Sequence, residues 1–291
     1  MMKVAIIGGS GHMGRWFARF LQKEGHEVVI TGRNQKKLAE ARKQLEVQAT
    51  TDNVAAIKQA QVILFSVPID NFAQVTEQIG SATQPDQVII DITSVKVVPV
   101  ATMHQKIKRG LVLGTHPLFG PGAHDITNRC FILTPTNQPE KDLAEKTKEY
   151  LETRGARVTL TTPEEHDEIM AVVLGLSHFI AIVSADTLLG FSRLKQMGAT
   201  SGITFKLLST LAESVISEDP ALYASLQMNL PNLAEIENSF QKKVKEWVDL
   251  VERKDRQGFT EKMATLKDKF NQVNPDFSKA YEDMYKIVDG L

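Results

Sequence analysis

The sequence holds a single cysteine, Cys130, among its 291 residues. One thiol can neither close an intramolecular disulfide nor build a cysteine-rich zinc site, and a chain so poor in cysteine suits a reducing, cytoplasmic compartment. An excess of either charge is lacking too: 34 Lys and Arg stand against 35 Asp and Glu. That balance removes the general electrostatic ground for nucleic acid or an acidic membrane as partner and leaves small molecules and proteins. Internal repeats and low-complexity linkers are absent. No leader peptide is expected, because Lys3-Val4-Ala5-Ile6-Ile7 already reads as a strand and glycines follow it. Only one long apolar run is present, Ile169 to Ala185, and it contains Ser177, His178 and Ser184 between the flanking Glu168 and Asp186. It is short for a comfortable membrane span and reads as a helix buried between subunits.

What is present divides the chain in two, as its length suggests. Up to about residue 160, short apolar runs alternate with longer amphipathic ones. The runs Val4–Ile7, Glu27–Thr31, Val62–Ser66, Val88–Asp91, Leu111–Gly114, Cys130–Thr134 and Arg157–Leu160 are predicted strands. Met13–Glu24, Gln35–Leu45, Asn71–Ile79 and Glu140–Thr153 are predicted crossover helices. The fold class is therefore α/β: a Rossmann-type parallel sheet domain over residues 1–162. After it Pro163-Glu164-Glu165 reads as a helix start, no strand follows, and residues 163–291 form an all-helical domain. In that domain Leu233–Val251 and Phe259–Phe270 have the spacing of outer helices in a bundle or dimer.

Gly9-Ser10-Gly11-His12-Met13-Gly14 matches the dinucleotide fingerprint and lies between a predicted strand and a predicted helix. In such a loop the first glycine makes the tight turn, the second lets backbone approach a pyrophosphate, the third lets helix and strand pack closely, and the helix N-terminus supplies amides. The second strand ends Ile30-Thr31-Gly32-Arg33-Asn34, without the carboxylate that takes the ribose hydroxyls of NAD. Thr31 can donate a hydroxyl and Arg33 a bidentate guanidinium to a 2′-phosphate, which favours NADP. With Arg33 a solvated turn residue and Lys36 and Lys37 a solvated helix face, NAD would bind comparably.

Ligands of open α/β sheets sit beyond the carboxyl ends of the strands. Three polar segments lie there: Ser66-Val67-Pro68, Asp91 to Lys96, and Gly114 to Pro121. His116 is the candidate base, since a neutral imidazole can take a hydroxyl proton as hydride leaves the same carbon; a satisfied turn histidine is the other reading. Ser94 either holds a substrate hydroxyl, orients the imidazole or caps a helix. Lys96 contacts a substrate carboxylate or the nicotinamide region, or sits in solvent. His178, inside the apolar run, is either a hydrogen-bonded core residue or faces a ligand. His166-Asp167 reads as a brace at the domain junction, not a metal site.

Together these segments resemble the prephenate and arogenate dehydrogenases of tyrosine biosynthesis. The resemblance rests on the glycine loop, Asp91-x-x-Ser94-Val95-Lys96, His116-Pro117-Leu118-Phe119-Gly120-Pro121, Pro163-x-x-His166-Asp167 and Leu176-Ser177-His178. It implies oxidative decarboxylation of prephenate to 4-hydroxyphenylpyruvate, or use of arogenate, with His116 as catalytic histidine, Ser94 binding the hydroxyl and His178 in the substrate site. It also implies a homodimer through the helical domains. Many members grip the substrate side-chain carboxylate with an arginine; the stretch Thr204 to Thr210 here offers Lys206, which also reads as a surface lysine. Outside this resemblance the loop and Arg33 also suit a β-hydroxyacid dehydrogenase, a reductase of a deazaflavin partner, or a non-catalytic NADP sensor.

Overall fold

In a computed structural model, which describes residues 1–290, the chain forms two compact units. The first comprises Met1–Met170 with Met228–Pro231, the second Ala171–Gln227 with Asn232 onward. Helix Pro163–Met170 thus belongs with the sheet.

The first unit is built on eight strands: β1 (Lys3–Ile7), β2 (Glu27–Thr31), β3 (Gln48–Thr50), β4 (Val62–Phe65), β5 (Val88–Asp91), β6 (Leu111–Pro117), β7 (Cys130–Thr134) and β8 (Arg157–Leu160). They lie in the order β3-β2-β1-β4-β5-β6-β7-β8. The helices between them are α1 (His12–Lys23), α2 (Gln35–Leu45), α3 (Asn53–Ile57), α4 (Ile69–Gly80), α5 (Val97–Lys106) and α6 (Gln138–Glu152), and α7 (Pro163–Met170) follows β8. Alternate residues of the strands feed two cores. Val4, Ile6, Val28 and Ile30 pack with Trp16 and Phe17 of α1, whereas Ala5, Ile7, Val29 and Ile63 pack with Phe72 of α4 and Met103 of α5. A sheet covered on both faces explains why its strands are continuous apolar runs. Full burial of each large aliphatic side chain contributes about 1.5–3 kcal/mol.

Local chemistry sets the helix starts. Asn34 caps α2 by accepting from the Lys37 amide, and Asp52 caps α3 by accepting from that of Ala55. At α6, Asn137 and Glu140 satisfy each other: the Glu140 amide donates to Asn137 Oδ1, and Asn137 Nδ2 donates to Glu140 Oε1.

The expectation of a parallel sheet needs one correction, because β6 and β7 pair antiparallel, with His116 opposite Ile132. No crossover helix separates these two strands, so the loop between them reverses the chain. The antiparallel ladder also carries β6 past Gly114, so that His116 lies within the strand and not after it.

The second unit is helical: α8 (Ser177–Leu189), α9 (Leu194–Ala199), α10 (Ile203–Ile216), α11 (Pro220–Asn229, all but its last two residues), α12 (Leu233–Glu252), α13 (Arg256–Val273) and α14 (Ala280–Asp289). Within it α10 packs on α8, α13 on α12, and α14 on α10. Residues Pro163 to Leu189 run as one continuous helical stretch through a π-helical segment, Ala171–Leu176. The stretch is long and apolar enough to cross a membrane, with a mean hydropathy of 2.0. In the single chain Ile169, Val172, Val173, Val183 and Leu189 are all exposed, so the burial between subunits expected of this run would have to come from a second copy.

Candidate active site

At the carboxyl end of β1 the backbone turns through Gly8, whose φ of +83° is the left-handed region that glycine tolerates. A side chain there would also lie 2.2 Å from the Ser66 carbonyl oxygen. The tight turn is therefore made by Gly8 and not by Gly9, as the fingerprint suggests. Gly9 is small for another reason: a Cβ would lie 2.7 Å from the Ile30 side chain. Gly14 seats α1 against the turn, since a Cβ on it would come within 2.6 Å of Gly9 Cα.

The loop is held from behind. Arg15 donates to the carbonyl oxygens of Ser10 and Lys37, both at 2.9 Å, and to Gln44. The sequence offered one clue to this brace, a cation in the first turn of α1 directly after the last glycine. Ser10 packs on Gly32, where a Cβ would sit 2.3 Å from its hydroxyl. On the ligand side Gly11 and His12 are exposed, Met13 is half-buried, and α1 has no side-chain cap. The first amides of α1 find no carbonyl within the helix. A pyrophosphate fits such an end: backbone donors lie open, the dipole is positive, and Gly11 has no side chain to obstruct approach.

Thr31 is corrected by the structure. It is 1% exposed, and its Oγ1 accepts from the Gly8 amide at 3.3 Å, so it supports the loop and presents no hydroxyl at the surface. Arg33 is exposed, and its Nη2 donates to Asn71 Oδ1 near the start of α4 at 2.5 Å. That bond poises the guanidinium and leaves its other donors open. Asn34 uses its carbonyl to cap α2. Ser66 lies half-buried against Gly8, and Pro68 is exposed at the start of α4.

A second polar cluster lies at the carboxyl ends of β5 and β6. Lys96 is fully buried, and its Nζ donates to Asp91 Oδ1 at 2.5 Å, the Thr115 carbonyl at 2.7 Å and Thr93 Oγ1 at 3.2 Å. All three ammonium donors are engaged. This corrects the three readings of Lys96: with every donor engaged and no exposure, it is placed neither for a ligand carboxylate, nor for the nicotinamide, nor in solvent, but ties the segment after β5 to the strand bearing His116. Burial pulls its pKa below the ordinary lysine value, against the opposing pull of Asp91. Ser94, in the same segment, is half-buried, and its hydroxyl bonds to no group among the described residues.

His116 is 4% exposed. Its Nδ1 lies 2.9 Å from His166 Nε2, and His166 Nδ1 lies 2.7 Å from Asp167 Oδ1. Asp167 also receives the backbone amides of Lys96, at 2.6 Å, and Val97, at 2.9 Å, and so caps α5. The result is a continuous chain from a helix cap through two imidazoles. Burial, then His166, then Lys96 hold the His116 ring well below the usual histidine pKa, so it is neutral near pH 7. His166 is lowered by burial while Asp167 opposes the shift. The sequence reading placed His166-Asp167 as a brace and did not connect them to His116. Their signal was an ionisable pair opening a helix directly after the last strand.

In the helical unit His178 stands half-buried against the Tyr223 ring, edge to face at 5.0 Å between centroids. Its Nδ1 is buried without a hydrogen bond, and burial lowers its pKa. Lys206 is exposed on α10. The structure thus gathers Ser94, Lys96, His116 and the glycine loop in the sheet unit, and His178 and Lys206 in the helical unit.

Known proteins match most of the chain. Residues 17–160 fit the family described as prephenate dehydrogenase, nucleotide-binding domain, and residues 162–265 fit prephenate dehydrogenase, dimerization domain. A Methanocaldococcus jannaschii protein described as "Probable arogenate/prephenate dehydrogenase" is 33% identical over 265 residues, covering 90% of this chain and 59% of its own length. The chain therefore spans about three fifths of that relative. Prephenate dehydrogenase from A. aeolicus, solved in complex with hydroxyphenyl propionate and NAD+, has a TM-score of 0.76 at 23% identity, covering 94% of this chain and 99% of its own. For the arogenate dehydrogenase of Synechocystis the TM-score is 0.70 at 20% identity, covering 95% of this chain and 100% of its own. At those identities the likeness to both structures is one of fold.

Proposed function

The chain belongs to the prephenate dehydrogenase family, and from that premise we propose that it oxidises prephenate, with loss of carbon dioxide, to 4-hydroxyphenylpyruvate, and that it prefers NADP. The observation that carries this reading is the neutral His116 ring, whose Nδ1 is engaged by His166 while Nε2 bonds to nothing among the described residues. When bound, the nicotinamide accepts hydride from the ring carbon that bears the hydroxyl. His116 Nε2 takes the hydroxyl proton, and the Ser94 hydroxyl, without a partner of its own, holds the substrate oxygen. The C–O bond becomes a carbonyl; the C–C bond to the ring carboxylate then breaks, releasing carbon dioxide, and its electron pair aromatises the ring to a phenolate, which regains the proton held on His116 to give the phenol. Aromatisation drives the reaction, so the protein's part is orientation and electrostatics.

Arg33 supports the NADP preference, being a poised, exposed guanidinium on a strand end without a carboxylate. His178, with its unpartnered Nδ1, and Lys206 are the proposed substrate-binding groups of the helical unit, Lys206 for the side-chain carboxylate. A homodimer is proposed to cover the exposed apolar face of the Pro163–Leu189 stretch, which lies within the part matching a dimerization domain. Arogenate is the second reading, since the description of the M. jannaschii relative names it beside prephenate.

An assay crossing prephenate and arogenate with NADP and NAD, read by formation of reduced nicotinamide, tests substrate and cofactor together. His116→Asn is expected to lower turnover by roughly two to four orders of magnitude, the scale of general base catalysis, while cofactor affinity is kept. Folded protein inactive on both substrates overturns the substrate assignment, and unchanged turnover in the variant removes His116 from the mechanism.

A further inference from the structure

Hydrogen-bond direction along the chain Asp167–His166–His116 is determined by its end. A carboxylate can only accept, so His166 Nδ1, 2.7 Å from Asp167 Oδ1, must be its donor. With its proton on Nδ1, a neutral His166 has a bare Nε2, and that atom faces His116 Nδ1 at 2.9 Å. His116 must then donate from Nδ1, which leaves its lone pair on Nε2. The same carboxylate is held in place by the amides of Lys96 and Val97, so the anchor of the chain is itself fixed by a helix N-terminus.

The charges around the two rings favour moving the proton onward. The positive charge of Lys96, on the segment after β5, disfavours a cation on either ring, while Asp91 at the end of β5 and Asp167 on α7 favour one on His166. A positive charge on His116 meets His166 and Lys96 with no carboxylate partner of its own. One hydrogen bond further along, on His166, it lies against Asp167.

We propose that His166 and Asp167 are a positioning pair for His116: they hold it in the tautomer whose Nε2 is free, and they take up the positive charge once that atom has accepted a proton. The proposal rests on the reading of His116 as the base. The substrate O–H bond breaks as the Nε2–H bond forms on His116; the Nδ1–H proton of His116 passes to His166 Nε2; and His166, now carrying both protons, keeps its Nδ1–H on Asp167. No oxidant or further reactant is needed. His116 ends neutral with its proton on Nε2, and the charge rests in the imidazolium–carboxylate pair.

Nitrogen-15 NMR of the unliganded protein near neutral pH tests the tautomer without any substrate. Protonated Nδ1 and bare Nε2 on His116 are expected, and the opposite tautomer overturns the proposal. Two substitutions at His166 separate hydrogen bonding from packing. His166→Gln can still offer a carbonyl to His116 Nδ1 and an amide to Asp167, whereas His166→Leu fills the space but offers neither. His166→Gln is expected to retain about tenfold or more of the kcat that His166→Leu loses, within the range one positioned proton-transfer group contributes. Equal kcat values, or a better leucine variant, count against the pair. Asp167→Asn removes charge and keeps an acceptor oxygen, so a protonated His166 becomes less favourable and the acid limb of kcat/KM is expected to move to lower pH; an unmoved limb contradicts the charge-uptake step. Should the wild-type protein turn over neither substrate, the substrate assignment fails and the tautomer measurement alone decides this proposal.

Discussion

Lys96→Met is expected to destabilise the sheet unit without weakening substrate binding. The side chains of Lys96 and Asp91 are both 0% exposed. Methionine has a comparable unbranched shape but removes the donors to Asp91, Thr115 and Thr93 together. Asp91 would keep only the amide and hydroxyl of Thr93 on Oδ1, while its Oδ2 already lacks a partner. Breaking one side of a buried ion pair in this way costs about 3–5 kcal/mol, mostly because an uncompensated charge is left behind. At roughly 2–4 °C per kcal/mol for a unit of this size, the melting temperature should fall on the order of 10 °C. Removing both charges has a different outcome, since the desolvation penalty of both ions disappears. Asp91→Asn combined with Lys96→Met is expected to return to within about 1–2 kcal/mol of the wild type. Urea and thermal unfolding of the wild type, both single variants and the double variant close the cycle. A Lys96→Met protein with unchanged melting temperature and a raised KM for the acid substrate would refute this reasoning and return Lys96 to the ligand.

Arg33→Ala should erase most of any preference for NADP: a charged hydrogen bond contributes about 1.5–3 kcal/mol, so the ratio of KM values should shift roughly 10- to 100-fold while NAD use is nearly unchanged. Stability should be full above about pH 6.5 and fall as pH drops below it, because burial lowers the pKa of His116, His166 and His178 in the folded protein and the unfolded chain therefore binds more protons there. Urea midpoints measured from about pH 7.5 down to about pH 5 check the sign, and a midpoint that rises on acidification contradicts it. Val173→Glu, on the exposed apolar stretch, should convert a dimer to monomer in sedimentation experiments; a dimer that persists places the interface elsewhere.

The parts of the fold that were legible are those where one element's pattern suffices. Apolar runs located seven of the eight strands, and the glycine loop was readable because strand, turn and helix are adjacent in sequence. β3 was missed because Gln48-Ala49-Thr50 has no apolar run; it exists by pairing with β2. The end of β6 was misread because Gly114-Thr115-His116-Pro117 has the composition of a turn, and only the ladder to β7, a tertiary fact, keeps it extended. The exposed apolar face of the long helix is the converse case: the run was visible, but a period of residues does not say what covers them.

The site divides along another line. Polar residues at strand ends were the right place to look, yet they are of two kinds that sequence position cannot separate. Thr31, Lys96 and the Asn34 carbonyl already have partners inside the chain. Ser94, the remaining donors of Arg33 and Nε2 of His116 do not. A ligand can bind only through capacity that the fold has left open, because an engaged donor must break one bond to make another, with a net gain near zero. Residue type reveals how many bonds a side chain can make, and coordinates reveal how many are already made; the candidate site is the difference between them. His166 shows that the distinction extends to connection as well as vacancy: both its nitrogens are engaged, which bars it from a ligand, and that engagement is what leaves Nε2 of His116 open.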